Sequence, residues 1–440
     1  MKLPAVFSEE IKAYLGPEYA AFAAAMGDAP HRGLRFHTGK ISGEEGKKAL
    51  AIPLEKVDWA PAGYRFGGDF RPAYHPFYHG GLYYIQEPSA MLPAEILCPQ
   101  PGERVLDLCA APGGKGTRLG ELLAGEGLLV LNDSSHNRCQ ALVRNVELFG
   151  LKNAVILNEK PERIAGKFPG YFDKVLVDAP CSGQGMFRKD SQVLKTGADH
   201  RPFTRWQREI LAQAALLTAP GGELVYSTCT FRREENEDIV EWFLAENRDF
   251  SLIPIPKLPG FCGGLGGMEE VVRLWPHRVK GEGHFAAHFR KEGTRKAPPL
   301  PFAAQGLENS LFRAFEEETG LLPLVGCFYD FSGHLYYFPS SLPDLHGLKV
   351  VRAGLYLGEA KGSRFAPAHS LALAQGRRDG ALSFPLDSRE VDMYLKGFTL
   401  ESEVAKGYHL FLANAYPLGW VKSDGRGALK NHYPKAWRNL

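Results

Sequence analysis

The sequence predicts an α/β protein, a parallel sheet with helices on both faces, set between a small amino-terminal region and a carboxyl-terminal region of α+β or β character. Three observations support this. Apolar strand runs alternate with helical patterns between residues 103 and 247. The first of those strands ends in a Gly-rich turn that opens a helix. Beyond residue 302 the pattern shifts to short Val/Leu/Tyr/Phe runs broken by turns.

Taken in order, residues 1–80 read as a helical start followed by an irregular segment rich in Gly, Pro, Tyr and Phe. Glu103–Cys109 is a strand run, and 114–124 a helix. Leu128–Asn132 is the second strand. Cys139, Leu142, Val143, Val146 and Phe149 recur at the spacing of an amphipathic helix. Strands at 154–158, 173–178 and 222–228 follow, with helices near 203–218 and 234–247. Pro259–Gly267 reads as a mobile loop and Arg295–Pro301, RKAPPLP, as a linker, which places a boundary near 296. The expected division is 1–80, 81–295, 296–370 and 371–440.

Composition narrows the partners. The 440 residues carry 52 Lys+Arg against 50 Asp+Glu, a formal charge of +2, so a uniformly basic coat and an acidic tail protein are both excluded. A local basic groove is not. Arg188–Arg208, Arg278–Lys296 and Lys422–Arg438 are each basic, and Phe187, Phe203, Trp206, His284, Phe285, Tyr433 and Trp437 lie among them as candidate stacking partners for unpaired bases. The seven cysteines form no C-x-x-C pair, so neither a metal site nor a disulfide framework is expected. A reduced, cytoplasmic setting fits, with no signal peptide at the start and no apolar run near the roughly 18 residues of a membrane span.

Residues 106–115 read LDLCAAPGGK. A strand, a Gly-rich turn and a helix aim backbone N–H groups at an anion. A phosphate-binding P-loop needs Gly at 109 and Ser or Thr at 116, where the chain has Cys109 and Gly116. The dinucleotide fingerprint G-x-G-x-x-G is absent too. S-adenosylmethionine (SAM) remains, with its carboxylate as the anion and Asp133, after the second strand, for the ribose. A plain Gly-rich connection is the alternative.

DAPCSG at 178–183 and STCT at 227–230 each follow a strand directly, at the carboxyl ends where open α/β sheets place ligands. A lone Cys is most often a small buried hydrophobe. Two at one rim suggest chemistry. Methylating cytosine at C5 requires a thiolate to add at C6, a second group to help remove the C5 proton and release the thiolate, and a carboxyl near N3/N4 that can donate a proton.

CAAPGGK, DAPCSG and STCT together resemble the Nop/Sun-type RNA cytosine-5 methyltransferases. QEPSAM at 86–91, GQGMFRKD at 183–190, TFRREENE at 230–237 and RLWPHRVKGEGHF at 273–285 look like the bacterial ribosomal RNA small subunit methyltransferase F branch. The resemblance is clearest over residues 70–291. It implies a Rossmann-like, SAM-dependent methyltransferase domain, with Cys229 as the nucleophile, Cys181 assisting release, Asp178 contacting the cytosine and lying near SAM, and Lys115 positioning the base. The backbone of Cys109, Ala110, Ala111, Pro112, Gly113, Gly114 and Lys115 would hold the methionine part of SAM, with Asp133 on the ribose. Arg138 matches an arginine frequent in the branch. Asn158 stands where the family has an acid near the adenine and is the candidate for that contact. Gln184 and LRFHTGK at 34–40 depart from the branch patterns GEGMFRKD and RVNTLK.

The resemblance implies 5-methylcytosine formation in small-subunit (16S) ribosomal RNA by a monomer, with no membrane partner. Transfer RNA is the alternative substrate. A non-catalytic assembly factor is disfavoured by the intact Cys181, Cys229 and Asp178 set, and an oxidoreductase by the missing fingerprint. The end of the chain looks like a PUA-like RNA-binding module, with Lys430, Asn431, Lys435 and Arg438 as candidate contacts. His369 reads as a packing histidine. Removing 297–440 is expected to weaken RNA binding.

Overall fold

The computed structural model describes residues 3–190, 193–194, 201–294 and 309–438. The expected linker Arg295–Pro301 and the boundary near 296 lie outside the described residues.

Helices Ala5–Leu15 and Tyr19–Gly27 precede β1 (Gly33–Phe36), β2 (Leu54–Lys56), β3 (Gly63–Phe66) and β4 (Tyr83–Ile85), an antiparallel sheet of order β2-β3-β1-β4. This sheet replaces the irregular segment expected there. Its strands are short, and every residue of β1 and β3 is buried, so the alternation that marks a half-exposed strand is missing. The polar side chains of 34–40 turn inward. Arg35 donates to the Gly114 carbonyl (2.7 Å) and Gln86 Oε1 (2.8 Å), His37 meets the Phe149 carbonyl (3.1 Å), and Lys40 donates to those of Gly80 and Leu148. Arg35, His37 and Lys40 thereby fasten this sheet to the next domain.

β5 (Arg104–Asp107), β6 (Leu128–Asn132), β7 (Ala154–Leu157), β8 (Phe172–Asp178) and β9 (Thr218–Thr228) pair in parallel in the spatial order β7-β6-β5-β8-β9. The expected strands and helices are present, with ends shifted by a few residues. Side chains alternate between two cores. Val105, Leu129, Leu131 and Ile156 pack with Leu119, Leu142 and Phe149 from helices Gly114–Leu122 and His136–Phe149. Leu106, Val130, Val175 and Leu224 pack on the other face with Ile164, Leu211 and Phe243 from Pro161–Lys167, Arg201–Leu217 and Glu237–Glu246. Covered on both faces, the strands read as continuous apolar runs.

The sheet is wider than the sequence implied. β10 (Phe250–Leu252), β11 (Phe261–Cys262), β12 (Val272–Leu274) and β13 (His284–Lys291) extend it antiparallel beyond β9. Residues 259–267, expected as a loop, supply β11, and the Leu265 N–H donates to Glu237 Oε1 (2.8 Å). β14 (Cys327–Phe331), β15 (His334–Phe338), β16 (Val350–Ala353), β17 (Leu355–Lys361) and β18 (Arg364–Pro367) come next. β16 pairs antiparallel with β7 and forms the opposite edge of the central sheet, which has ten strands among the described residues. The other four make a separate sheet. β19 (Ser383–Phe384), β20 (Leu400–Glu401), β21 (Gly407–Ala413), β22 (Tyr416–Ser423) and β23 (Ala428–Asn431) form the last sheet around Tyr394, Phe411 and Tyr433.

Most rings expected to stack on bases belong to cores. Phe187 packs edge-on to Phe7 at 5.0 Å, Phe285 is fully buried, and Tyr433 is buried with its hydroxyl 2.6 Å from His79 Nδ1. Trp437 and Tyr433 both pack edge-on to His369. Trp206 is exposed, with Phe203 against it. In the second basic window Arg278, Lys280 and Arg290 pair with Glu18, Glu55 and Glu223. In the last segment Lys430 and Lys435 are exposed, whereas Asn431 donates to the Tyr394 and Phe398 carbonyls.

Candidate active site

The order of the parallel strands reverses at β5 and β8, and such a reversal opens a crevice at the carboxyl ends. Here it is a cleft of ≈ 700 Å³ whose walls include Cys109, Asp133, Arg138, Asp178, Cys181 and Cys229. Each of these was singled out from the sequence.

The Gly-rich turn is held by its carbonyls. Arg138 donates to that of Ala111, Asn145 to that of Pro112 (2.8 Å) and Arg35 to that of Gly114. The Ala110 N–H donates to the Asn132 carbonyl (2.7 Å) and Pro112 has none, which leaves the Gly113 and Gly114 amides at the start of helix Gly114–Leu122 for an anion. Gly113 has φ +114°, and a Cβ there would sit 3.1 Å from Leu142 Cδ1, so glycine is required. Asp133 is buried beyond β6, accepting from the Ser135 N–H (2.9 Å) and pairing with Arg138 (3.2 Å). A polar turn, a buried acid after the next strand and a cleft of nucleoside size fit SAM. Asn158 does not line the cleft; its Nδ2 donates to the Asp133 carbonyl (2.9 Å). Its side chain therefore supports Asp133 from behind.

Two loops carry the cysteines, and their own side chains lock them together. Gln184 Oε1 accepts from the Phe231 N–H (3.1 Å) and Thr230 Oγ1 (3.2 Å), Ser182 Oγ meets Thr230 Oγ1 (2.8 Å), and the Gly185 N–H donates to the Cys229 carbonyl (2.8 Å). Glu235 accepts from the Ser182 N–H (2.9 Å) and Gln207 (3.0 Å). This brings Cys181 Sγ to 3.4 Å from Cys229 Sγ, both as free thiols. The hydrogen bond with Cys229, and then burial, push the Cys181 thiol far up. Burial also raises Cys109.

Asp178 ends β8 beside them. Lys115 Nζ reaches its Oδ2 (2.7 Å), and Ser227 Oγ donates to its Oδ1 (2.7 Å) with His284 Nε2 3.7 Å away. Burial alone would raise the Asp178 pKa, but Lys115 and His284 hold its carboxyl well below the usual range. Burial opposes the Lys115 charge, yet Asp178 and then Cys229 keep its pKa raised. Desolvation lowers His284, despite Asp178.

Sequence reasoning missed Asp107 and Ser227, and placed His284 on an RNA surface. Asp107 is fully buried at the end of β5, and neither carboxylate oxygen completes a hydrogen bond among the described residues. Burial, and then repulsion from Asp178, push it up to about 8. The signals were slight: an acid closing an apolar strand run, a Ser inside STCT, and a His that could belong to either face of β13.

Comparison with known proteins agrees. The 16S rRNA methyltransferase RsmB/F family model matches residues 94–290. Models of the RsmF N-terminal domain, the first C-terminal domain and the RsmF PUA domain match 3–88, 314–374 and 381–439. The ribosomal RNA small subunit methyltransferase F of Klebsiella pneumoniae (strain 342) is 32% identical, over 94% of this chain and 91% of the relative. That of Shewanella loihica is 33% identical, over 81% and 77%. Among solved structures, a methyltransferase homolog protein from Pyrococcus horikoshii is 31% identical with a TM-score of 0.57, over 65% of this chain and 94% of that one. NSun6 from the same organism, solved with SFG, is 23% identical and shares the fold at a TM-score of 0.58, over 66% and 99%. The Rossmann-like methyltransferase fold, the PUA domain and the motif resemblance are all borne out, and the chain belongs to the SAM-dependent 16S ribosomal RNA methyltransferase F family.

Proposed function

We propose that this chain methylates C5 of a cytosine in small-subunit ribosomal RNA through a covalent bond between Cys229 and C6. The observation that carries the reading is the Cys181–Cys229 pair at 3.4 Å, with the Lys115–Asp178 ion pair in the same site. Of the two thiols, Cys181 keeps its proton and Cys229 has the Lys115 ammonium for a neighbour. Cys229 is therefore the thiol placed to add to C6.

Asp178 is a carboxylate here, so it accepts from the cytosine amino group. With the Asp178 carboxyl held well below the usual range by Lys115 and His284, we assign the proton that stabilises the adduct's ring to Lys115 in place of the carboxyl. SAM, when bound, supplies an electrophilic methyl group to the activated carbon. The Cys109–Gly114 turn and Asp133 would hold its methionine and ribose ends. Cys181 acts last. The raised pKa of its thiol depends first on the Cys229 sulfur, and that interaction ends when Cys229 bonds to C6. The Cys181 thiol then gives its proton to solvent water, and its thiolate takes the C5 proton. The electrons of the broken C5–H bond form the C5–C6 double bond as the C6–S bond breaks, Cys229 leaves as a thiolate, and the ring proton returns to Lys115.

RNA is held by the catalytic domain and the PUA domain, and the enzyme works as a cytoplasmic monomer divided into residues 1–80, 81–295, 296–370 and 371–440, with β4 and β16 reaching back across two of these boundaries to pair with β1 and β7. No helix among the described residues is long and apolar enough to cross a membrane.

The test is covalent capture. Cys181→Ala should accumulate a denaturant-resistant RNA–protein adduct, and Cys229→Ala should form none and transfer no methyl group. Adduct formation by Cys229→Ala would refute the nucleophile. Bisulfite mapping of ribosomal and transfer RNA, with and without the protein, identifies the base.

A further inference from the structure

A second cleft, of ≈ 630 Å³, lies outside the active site between the β14–β15 hairpin and the edge strand β16, with Tyr329, Phe331, Tyr336, Leu342 and Arg352 among its walls. Its rings form a ladder. Tyr329 and Phe331 stack at 6.5 Å and 8°, Phe331 meets Tyr336 at 5.6 Å, and Tyr336 meets Tyr356 at 5.1 Å. Phe331 remains 51% exposed, so one face of the ladder has nothing on it. The Arg352 guanidinium lies over both Tyr336 and Tyr356, 5.8 and 5.3 Å from their ring centres. Its Nη2 donates to Glu147 (2.6 Å), but its Nη1 is buried without a hydrogen-bond partner among the described residues. A buried donor left unmade is costly, and a ligand acceptor would relieve it.

Two acids border this cleft, one of them ion-paired. Asp344 pairs with Lys167 (2.6 Å), and Asp330 accepts from the Gly333 N–H (2.7 Å). The cleft thus offers a flat ligand an aromatic face and one unmade guanidinium N–H. The Arg352 charge is balanced by Glu147, and Asp330 has no cationic partner among the described residues, so recognition here rests on the ring face and that donor and not on attraction of a phosphate. That combination suits an unpaired nucleobase.

We propose that this cleft anchors an unpaired base of the substrate RNA, stacked on Phe331 with an acceptor edge toward Arg352. The proposal rests on the RNA methyltransferase reading and adds to it a second point of RNA attachment. Because β16 is hydrogen-bonded to β7, whose neighbour β6 leads into Asp133, the anchor is rigidly joined to the reaction cleft. It would set which nucleotide reaches Cys229.

Phe331 is exposed enough that Phe331→Ala should fold, which a thermal melt checks. The probe is a single-stranded RNA of the ribosomal sequence carrying 2-aminopurine, bound to the full-length protein. Wild type and Phe331→Trp should quench the fluorophore, and Phe331→Ala should not. With ribosomal RNA as substrate, Phe331→Ala should raise KM about 5- to 150-fold, the range for losing one stacked base, with kcat and SAM affinity unchanged. Unchanged KM and unchanged quenching in Phe331→Ala would overturn the proposal. If the product is not 5-methylcytosine, the quenching and KM still read this cleft, so the two readings fail separately.

Discussion

Replacing Asp107 with asparagine should make the protein progressively more stable than wild type as pH rises, although it removes a carboxylate. Burial raises the folded pKa of Asp107 to about 8, from an ordinary value of about 3.9. Between those values the folded protein keeps a proton that the unfolded chain has lost. The unfolded state binds fewer protons, so wild-type stability falls with rising pH, by about 1.4 kcal/mol per unit. From pH 4 to pH 7 that amounts to about 4 kcal/mol. The amide of Asp107→Asn is uncharged and close in shape to the protonated carboxyl, and the variant is spared this loss. The buried His37, His75 and His79, lowered to about 4 by desolvation, and Lys40, lowered to about 7, titrate in the opposite sense. They are common to both proteins and cancel in the difference. Urea unfolding of each protein at pH 5, 6, 7 and 8 should therefore show a stability gap that widens by at most about 4 kcal/mol toward high pH. A gap independent of pH would mean that Asp107 is not a buried acid, and would refute the reasoning.

Lys115→Met strips Asp178 of its ion-pair partner. It also removes the proton donor proposed for the adduct, so kcat should fall about 100-fold or more, and the residual methyl transfer should be acid-sensitive, falling as pH drops through the raised Asp178 pKa. With the Asp178 side chain 30% exposed, the fold should lose only about 1 kcal/mol. A kcat–pH profile parallel to wild type would contradict this. His284→Gln should lower kcat about tenfold, equivalent to about 1.4 kcal/mol of lost support for Asp178, while leaving the RNA KM unchanged in steady-state assays. Arg35→Met removes one of the donors on the Gly114 carbonyl, leaving Thr117 Oγ1, and loosens the turn, so calorimetry should show weaker SAM binding with little change in RNA affinity. Deleting 297–440 should expose β7 by removing β16, so that variant is expected to aggregate, visible by light scattering. RNA binding by the carboxyl-terminal region is better tested at exposed Lys430 and Lys435.

The parallel core and the active-site acids were legible because both depend on local pattern. Strands covered on two faces are written as apolar runs, and functional residues at their carboxyl ends follow each run directly, as Cys109, Asp133, Asp178 and Cys229 do. The amino-terminal sheet was not legible, since its strands are short and two of them, β1 and β3, are buried throughout and rich in Gly and aromatic residues. RNA-facing rings were misjudged for a related reason. An aromatic residue beside lysines has the same local sequence whether it faces solvent or a core, and Phe187, Phe285 and Tyr433 face cores.

The sequence by itself therefore determined the family, the five parallel strands along the chain and which side chains are chemically capable. Tertiary structure alone decided three further things: that β16 returns from the carboxyl-terminal segment to edge the central sheet, that the Cys181 and Cys229 sulfurs meet at 3.4 Å, and that Asp107 and Asp178 carry opposite pKa shifts. The physical reason is the same for each. Pairing at long sequence separation, and the desolvation and charge that tune an acid, depend on neighbours distant in the chain. Asp178 has Lys115 within 2.7 Å, whereas Asp107, buried near the same two residues, has no such partner.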